Sequence, residues 1–266
     1  NAKVAQIETD NEFKKLNLNF NSMIDKLKKQ QEKLLMSERH MAWESVARKL
    51  AHEIKNPLTP IQLTIDRLKN KYEKSIDVKE KENFDNYLKT IIKQINQIEN
   101  LVNEFSDFAR MPKPIFRKNE IIEIIKNNIS LLKEVDKSIS IKFNYNKAEL
   151  SINCDGEQIN RAFFNLIKNS IESIQEKATK NADFTKIIDI AIKDKSDYIA
   201  VNITDNGTGF STGIIKNITK PYFTTKPKGS GLGLSIVNKV INDHNGSMKF
   251  YSNSNGAKVE IILPKN

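Results

Sequence analysis

Two glycine-rich segments, Asp205-Asn206-Gly207-Thr208-Gly209-Phe210 and Gly229-Ser230-Gly231-Leu232-Gly233-Leu234, decide how this 266-residue chain is read. Six of its nine glycines lie between residues 207 and 233. Such clustering means that the backbone must approach something closely, or move. The common nucleotide patterns do not fit: there is no GxxxxGK[ST] loop, and the second segment is GxGxG with no strand leading directly into it. It does run into a helical pattern (Leu234, Val237, Val240, Ile241), and glycines feeding a helix N-terminus form an anion cradle.

Working outward, Asp205 ends the strand-like run Val201–Asp205. Asp-Asn-Gly is a turn signal, so Asp205 is either a turn aspartate or a carboxylate that accepts from a base amino group. Further strands are expected at Ile139–Asn144, Leu150–Asn153, Ile187–Lys193, Tyr198–Thr204 and Lys258–Leu263. Helices are expected over about 120–134, 156–177 and 232–243. The mixture reads as α+β, a sheet covered on one face by helices. In the helix at 156–177, Ile159, Phe163, Leu166, Ile171 and Ile174 define the buried side. Asn165, Lys168, Asn169 and Glu172 share the other, at i, i+3, i+4 and i+7. That side is either a solvated polar face or a place where two asparagine oxygens meet a hard cation such as Mg²⁺. Between the glycine groups, Pro221-Tyr222-Phe223-Thr224-Thr225-Lys226 suggests a segment closing over phosphates, with Lys226 as the contact.

The first half has another character. Residues 1–110 contain no glycine, and their only prolines are Pro57 and Pro60. Leu16, Phe20, Met23, Leu27 and Leu34 make a heptad seam, continued by Met41, as in a parallel coiled coil. Ala47, Leu50, Ile54, Leu58, Ile61, Ile65 and Leu68 mark a second helical face; Phe84, Leu88, Ile91, Ile95, Ile98, Val102 and Phe105 mark a third. The charged run at 69–83 reads as the turn of a helical hairpin. One hairpin has too little surface to bury a core, so two chains are expected to form a four-helix bundle, a homodimer. Pro112 and Pro114 stop the last helix and mark a boundary.

His52 lies about 160–200° from the second apolar stripe, at 100° per residue. It is expected on the exposed face, with Lys49, Lys55, Asn56 and Thr59. It is either a solvated surface histidine or a nucleophile. An exposed imidazole can attack phosphorus through one nitrogen while a carboxylate, here Glu53, takes the proton of the other. Asn56, one turn on, could orient a water or a phosphoryl oxygen. Pro57 loosens the helix at this point. His40 and His244 read as surface or packing residues.

Composition excludes several classes. One cysteine, Cys154, allows no intrachain disulfide and no cysteine zinc site, and reads as a small core residue. Three scattered histidines make no metal cluster. No apolar run approaches the ~18 residues of a membrane span. The formal net charge of +10 permits contact with nucleic acid, an anionic surface or an acidic protein. No basic helix is laid out for a groove, so nucleic acid is set aside as a partner. The first residue is Asn, so the chain reads as part of a longer protein.

In combination these segments resemble the sensor histidine kinases of two-component systems. Residues 47–59, Ala-Arg-Lys-Leu-Ala-His-Glu-Ile-Lys-Asn-Pro-Leu-Thr, look like the phosphoacceptor H box, and Asn165–Ser170 like the N box. Asp205–Phe210 is similar to the G1 box, Pro221–Lys226 to the F box and Gly229–Leu234 to the G2 box, all in the family's order. Residues 42–63 look like the nitrogen-regulation kinases of the NtrY type, and residues 7–36 like the second helix of a HAMP signal-relay module.

The resemblance implies a fold: an N-terminal coiled coil and a dimeric helical hairpin, a four-helix bundle in the dimer, then a Bergerat-type α/β-sandwich ATP-binding domain. The expected boundaries are 1–38, 39–111 and 112–266. It further implies autophosphorylation of His52, aided by Glu53, and transfer to a response regulator's receiver domain, with Asn56 as a catalytic residue supporting the reverse, phosphatase reaction. ATP is expected to meet Asn165, Lys168, Asn169, Asp205, Gly207, Gly209, Phe210, Thr225, Lys226, Gly229, Ser230, Gly231, Leu232, Gly233 and Leu234, with Asn169 and Asn165 on Mg²⁺. Membrane helices are expected upstream of Asn1, which makes this the cytoplasmic portion of a bacterial inner-membrane sensor. Related ATPases carry a water-activating Glu where this chain has Asn165, a departure that favours phosphotransfer over hydrolysis. The rival reading is a catalytically inert ATP-binding signalling scaffold.

Overall fold

The computed structural model describes residues 11–72, 76–147, 149–180, 184–211, 213–226, 229–253 and 255–265. It divides into two compact units, Asn1–Met111 and Pro112–Asn266.

The first unit is two helices, α1 (Asn11–Tyr72, 62 residues) and α2 (Val78–Ala109). The coiled-coil and hairpin segments read separately in the sequence are one continuous helix, because no glycine interrupts them. Pro57 and Pro60 both lie inside α1. Each withdraws the donor normally given to the carbonyl four residues earlier, at Glu53 and Asn56. The Thr64 hydroxyl donates to the Pro60 carbonyl at 2.7 Å, supporting the helix just after the gap.

The hairpin packs in rows seven residues apart. Ala51, Leu58 and Ile65 of α1, and Leu88, Ile95 and Val102 of α2, are buried. Leu58, Ile65, Leu88 and Ile95 form one cluster with Phe84 and Ile92 against it. The neighbouring rows stay open: Leu50, Ile54, Ile61, Leu68, Ile91 and Ile98 remain exposed. The apolar stripe is wider than one partner helix can cover. Leu16, Phe20, Met23 and Leu27 of the heptad seam are likewise exposed. The side chains of Leu34, His40, Met41 and Ala47, and residues 7–10 of the relay-helix resemblance, lie outside the described residues.

The second unit is an α/β sandwich. Its elements are β1 (Arg117–Glu120), α3 (Ile121–Lys133), β2 (Ser140–Asn144), β3 (Ser151–Cys154), α4 (Gly156–Ala178), β4 (Ile187–Asp194), β5 (Tyr198–Asp205), α5 (Gly233–Asp243), β6 (Ser247–Asn253) and β7 (Gly256–Pro264). The main sheet runs β2-β4-β5-β7-β6, and β1 pairs with β3 in a second, two-stranded sheet. Only β2 and β4 pair in parallel; the other neighbours are antiparallel. One sheet face carries Ile188, Ile190, Ile199, Val201, Ile203 and Ile261, and with Ile159, Phe163, Ile167 and Val237 of the helices it is almost fully buried. Each buried isoleucine contributes roughly 1.5–3 kcal/mol.

Two strands escaped the sequence reading. β1 (Arg-Lys-Asn-Glu) has no apolar residue, and its pairing with β3 is what makes it a strand. β6 is an edge strand beside β7 alone, where apolar alternation is under weak demand.

The segment entering this unit is fastened to α4. The Pro112 carbonyl accepts from Gln158 Nε2 at 2.9 Å, and the Ile115 N–H donates to Asp155 Oδ2 at 2.8 Å. Asp155 Oδ1 also caps α4, accepting from the N–H groups of Glu157 and Gln158. His244 is buried; its Nε2 accepts from the Asp155 N–H at 2.9 Å. That leaves the proton on Nδ1, which donates to the Val240 carbonyl at 2.8 Å. Cys154 is buried too, and burial pushes its thiol up to about 11. It is therefore protonated at neutral pH.

Candidate functional site

His52 is exposed on α1. Its Nδ1 lies 3.3 Å from Asn56 Nδ2, one turn on. The sequence reading gave that nitrogen to Glu53; the structure gives it to Asn56, because i+4 side chains on a helix face each other and i+1 side chains do not. As placed, the amide donates and the imidazole proton sits on Nε2. Turning the amide over makes Oδ1 the acceptor, moves the proton to Nδ1 and leaves an Nε2 lone pair.

In the second unit, Asp205 at the end of β5 is buried. Its Oδ1 accepts from the Gly207 N–H at 2.9 Å and its Oδ2 from the Ser170 hydroxyl at 3.2 Å. Burial raises its pKa, while the Gly207 N–H, the Ser170 hydroxyl, the Ala257 N–H and the charge of Lys226 oppose the rise. The turn after it is held tightly against α4. A Cβ on Gly207 would meet Ser173 Oγ at 2.3 Å and the Ser173 backbone at 2.7 Å. Thr208 N–H donates to Ser173 Oγ at 3.0 Å. Asn206 bridges to β4, accepting from the Ile187 N–H at 3.0 Å. Phe210 closes the segment edge-on to Phe250, with ring centroids 5.7 Å apart.

The second glycine segment lies across α4. Gly233 opens α5, and a Cβ there would stand 3.4 Å from Asn165 Oδ1 and 3.8 Å from Asn169 Nδ2. Asn165 Nδ2 donates to the Arg161 carbonyl at 2.9 Å, which aims Oδ1 the other way, toward Gly233. α5 begins without a side-chain cap hydrogen bond, so its first N–H groups are available to an anion. Gly231 has φ +71°, and a Cβ there would lie 2.5 Å from the Tyr222 carbonyl carbon. Tyr222 itself has φ 65°, unusual for a bulky residue, so the two segments are locked at a strained crossing.

The structure thus gathers Asp205, Gly207, Asn165, Asn169, Gly233 and Lys226 around α4. Thr225 and Lys168 are exposed, Gly209 and Ser230 half-buried, and Gly229 exposed at the rim. Leu232 is core and Leu234 half-buried. Lys226, expected on a phosphate, instead has Nζ 2.5 Å from Glu172 Oε2.

Two supporting residues were missed. Ser170 closes the stretch that looks like the N box, but the sequence assigns its side chain no partner. Gly256 has φ +138°, and a Cβ would fall 2.0 Å from the Asp205 carbonyl oxygen, so only glycine lets β7 approach there. A lone Asn-Gly before a terminal strand was its only sequence signal.

Comparisons with known proteins identify the family. The family model described as histidine kinase-, DNA gyrase B- and HSP90-like ATPase covers residues 123–266, and the His Kinase A (phospho-acceptor) domain covers 42–114. An NtrY-like sensor histidine kinase of Rickettsia conorii is 41% identical over 97% of this chain and 42% of its own length. The nitrogen regulation protein NtrY of Azorhizobium caulinodans is 35% identical over 86% of this chain and 29% of its own. The chain thus spans about two fifths or less of the length of these NtrY-like and NtrY relatives. Among solved structures, the histidine kinase ThkA in complex with the response regulator protein TrrA aligns with a TM-score of 0.60 and 22% identity, over 91% of this chain and 67% of that one. Full-length ShkA in complex with AMPPNP aligns with a TM-score of 0.66 and 17% identity, over 83% and 45%. With a phospho-acceptor domain ahead of it and the buried Asp205 and glycine segments within it, the chain belongs to the family of histidine kinase-, DNA gyrase B- and HSP90-like ATPases.

Proposed function

We propose that this chain is the output part of a sensor histidine kinase, which moves the γ-phosphoryl group of ATP to His52 and then to an aspartate of a response regulator's receiver domain. One observation carries the reading: an exposed, amide-paired imidazole on the phospho-acceptor segment shares a chain with a buried carboxylate and an uncapped helix N-terminus of the ATPase family. Asp205 accepts from the adenine amino group. The α5 N-terminus, Gly231 and Gly233 receive the phosphates, with Lys226.

The donor set fits Mg²⁺: Asn165 Oδ1 and Asn169 offer neutral oxygens on one helix face. Bound there, the cation would offset charge on the phosphate oxygens. Asn169→Ala is expected to weaken ATP binding in the presence of Mg²⁺ at least tenfold, and to leave ATP binding in EDTA little changed. Titration calorimetry in both buffers checks this, and equal loss in both removes the cation role.

For transfer, Asn56 turns its oxygen to Nδ1–H, and the Nε2 lone pair forms the N–P bond as the bond to the ADP oxygen breaks. Glu53 does not face the ring, so the Nδ1 proton that the imidazolium sheds leaves by way of solvent water, with the Glu53 carboxylate as its acceptor. No general base faces water at Asn165, so ATP persists until His52 arrives.

The exposed rows of α1 and α2 fit a second copy, giving a homodimeric four-helix bundle. We place the domain boundaries at 1–38, 39–111 and 112–266. Pro112 and Ile115 are tied to α4 and so belong to the ATP-binding part. Among the described residues no helix is long and apolar enough to cross a membrane; we assign this part to the cytoplasmic side of a bacterial inner-membrane sensor, where ATP is found. Incubation with γ-labelled ATP and Mg²⁺ should give acid-labile, alkali-stable label that passes to a receiver domain. A chain that binds ATP but takes up no label is the inert scaffold instead.

A further inference from the structure

Glu172 has no place in the scheme above, although it shares the α4 face with Asn165 and Asn169, three residues beyond the latter. Its Oε2 holds Lys226 Nζ at 2.5 Å, and its Oε1 stands 4.0 Å from Lys168 Nζ. The Lys226 and Glu172 side chains are only about one-third exposed, at 31% and 37%. The backbone around Lys226 is folded into a turn of its own: its N–H donates to Thr224 Oγ1 at 3.0 Å, and its carbonyl accepts from the Gly229 N–H at 3.1 Å. The ion pair is thus a further tie on this turn, one that the side chain can exchange for another partner.

We propose that Glu172 is a positioning residue that docks Lys226, and the turn carrying it, onto α4 while no phosphate is present, and yields the lysine when nucleotide phosphates arrive. The inference rests on the reading of Lys226 as a phosphate contact. An ion pair one-third exposed to water is weak, so a ligand bearing several negative charges outcompetes it and a neutral nucleoside does not. Lys168 stays beside Glu172 after the exchange, so the carboxylate is not left facing a polyanion alone. The charge of Lys226 also favours the ionised form of Asp205. The cost of the arrangement is a weaker hold on nucleotide and hence easier release of ADP.

Two readouts on the 266-residue chain test this. The first is amide hydrogen exchange of Lys226 and Gly229 without nucleotide. Glu172→Gln and Lys226→Ala should each speed it about threefold to fivefold, and the double variant should add nothing. The second is calorimetric affinity. Glu172→Gln should bind ATP and ADP about fivefold more tightly and adenosine as wild type does, whereas Lys226→Ala should weaken ATP. Glu172→Ala provides a second variant with the same expected signs. Unchanged exchange in Glu172→Gln, or additive exchange in the double variant, overturns the proposal. Weaker ATP binding in Lys226→Ala without tighter binding in Glu172→Gln overturns it alone. ATP binding by Lys226→Ala equal to wild type overturns both it and the phosphate reading of Lys226.

Discussion

His52→Gln is expected to bring phosphoryl uptake from γ-labelled ATP down to background while ATP affinity and melting temperature stay at wild-type values. The side chain is exposed, and its contact is one hydrogen bond to Asn56. Substitutions at such positions change stability by no more than about 0.5 kcal/mol. Glutamine keeps a polar group within reach of Asn56 but offers no ring nitrogen to phosphorus, so the loss is chemical rather than structural. The rate should fall by orders of magnitude, because without a nucleophile the covalent route does not exist. Acid-labile label that persists in His52→Gln would move the acceptor elsewhere. His244 is no substitute, since both of its nitrogens are engaged in the fold. An Asn56→Ala variant read in the same assay separates orientation of the ring from the ring itself.

Asp205→Asn has a two-sided expected result: ATP affinity falls at least about 100-fold, and the melting temperature holds or rises. The first part follows from losing a charge-assisted hydrogen bond to the adenine amino group, worth ~1.5–3 kcal/mol, with an amide that can also turn a donor toward that donor. The second follows from burial. Asp205 has a raised pKa, chiefly because the ionised carboxylate is desolvated; the bonds from Gly207 and Ser170 offset only part of that. A folded-state pKa above the unfolded one means that the folded chain holds a proton more readily. The ionised form therefore costs stability at neutral pH, and the cost disappears as pH falls through the raised pKa. ATP affinity runs the opposite way, since it needs the carboxylate and is lost over the same window. Asparagine should flatten both dependences. Calorimetric titration and thermal melts across the acid range check this, and a large fall in melting temperature for Asp205→Asn at neutral pH would show that the carboxylate holds the fold rather than the base.

Much of this architecture was legible because it is written locally. The strands at β2, β4, β5 and β7 and the helices α3, α4 and α5 follow from runs of isoleucine, valine and leucine with period 2 or 3.6. The glycine segments stood out because a backbone that must crowd α4 or cross Tyr222 tolerates no Cβ, as at Gly207 and Gly231. β1 stayed invisible because Arg117–Glu120 carries no apolar pattern; β3, more than thirty residues on, makes it a strand. Ala51 was overlooked as a core position for a related reason. A small residue adds little to a hydrophobic stripe, yet it is buried because α2 lies across it.

The sequence by itself determined where helix and strand periods change, which face of α1 carries His52, and which residue types stand ready to meet a nucleotide. Each of these depends on neighbours within a turn or two of backbone. Only the tertiary structure decided that Ser170 meets Asp205, that Gly256 makes room for the Asp205 carbonyl, that His244 accepts from the Asp155 N–H and that Lys226 rests on Glu172. These partners come from separate helices, strands and turns, and no periodicity encodes which polar groups will face each other once strand pairing and helix packing have chosen the distances.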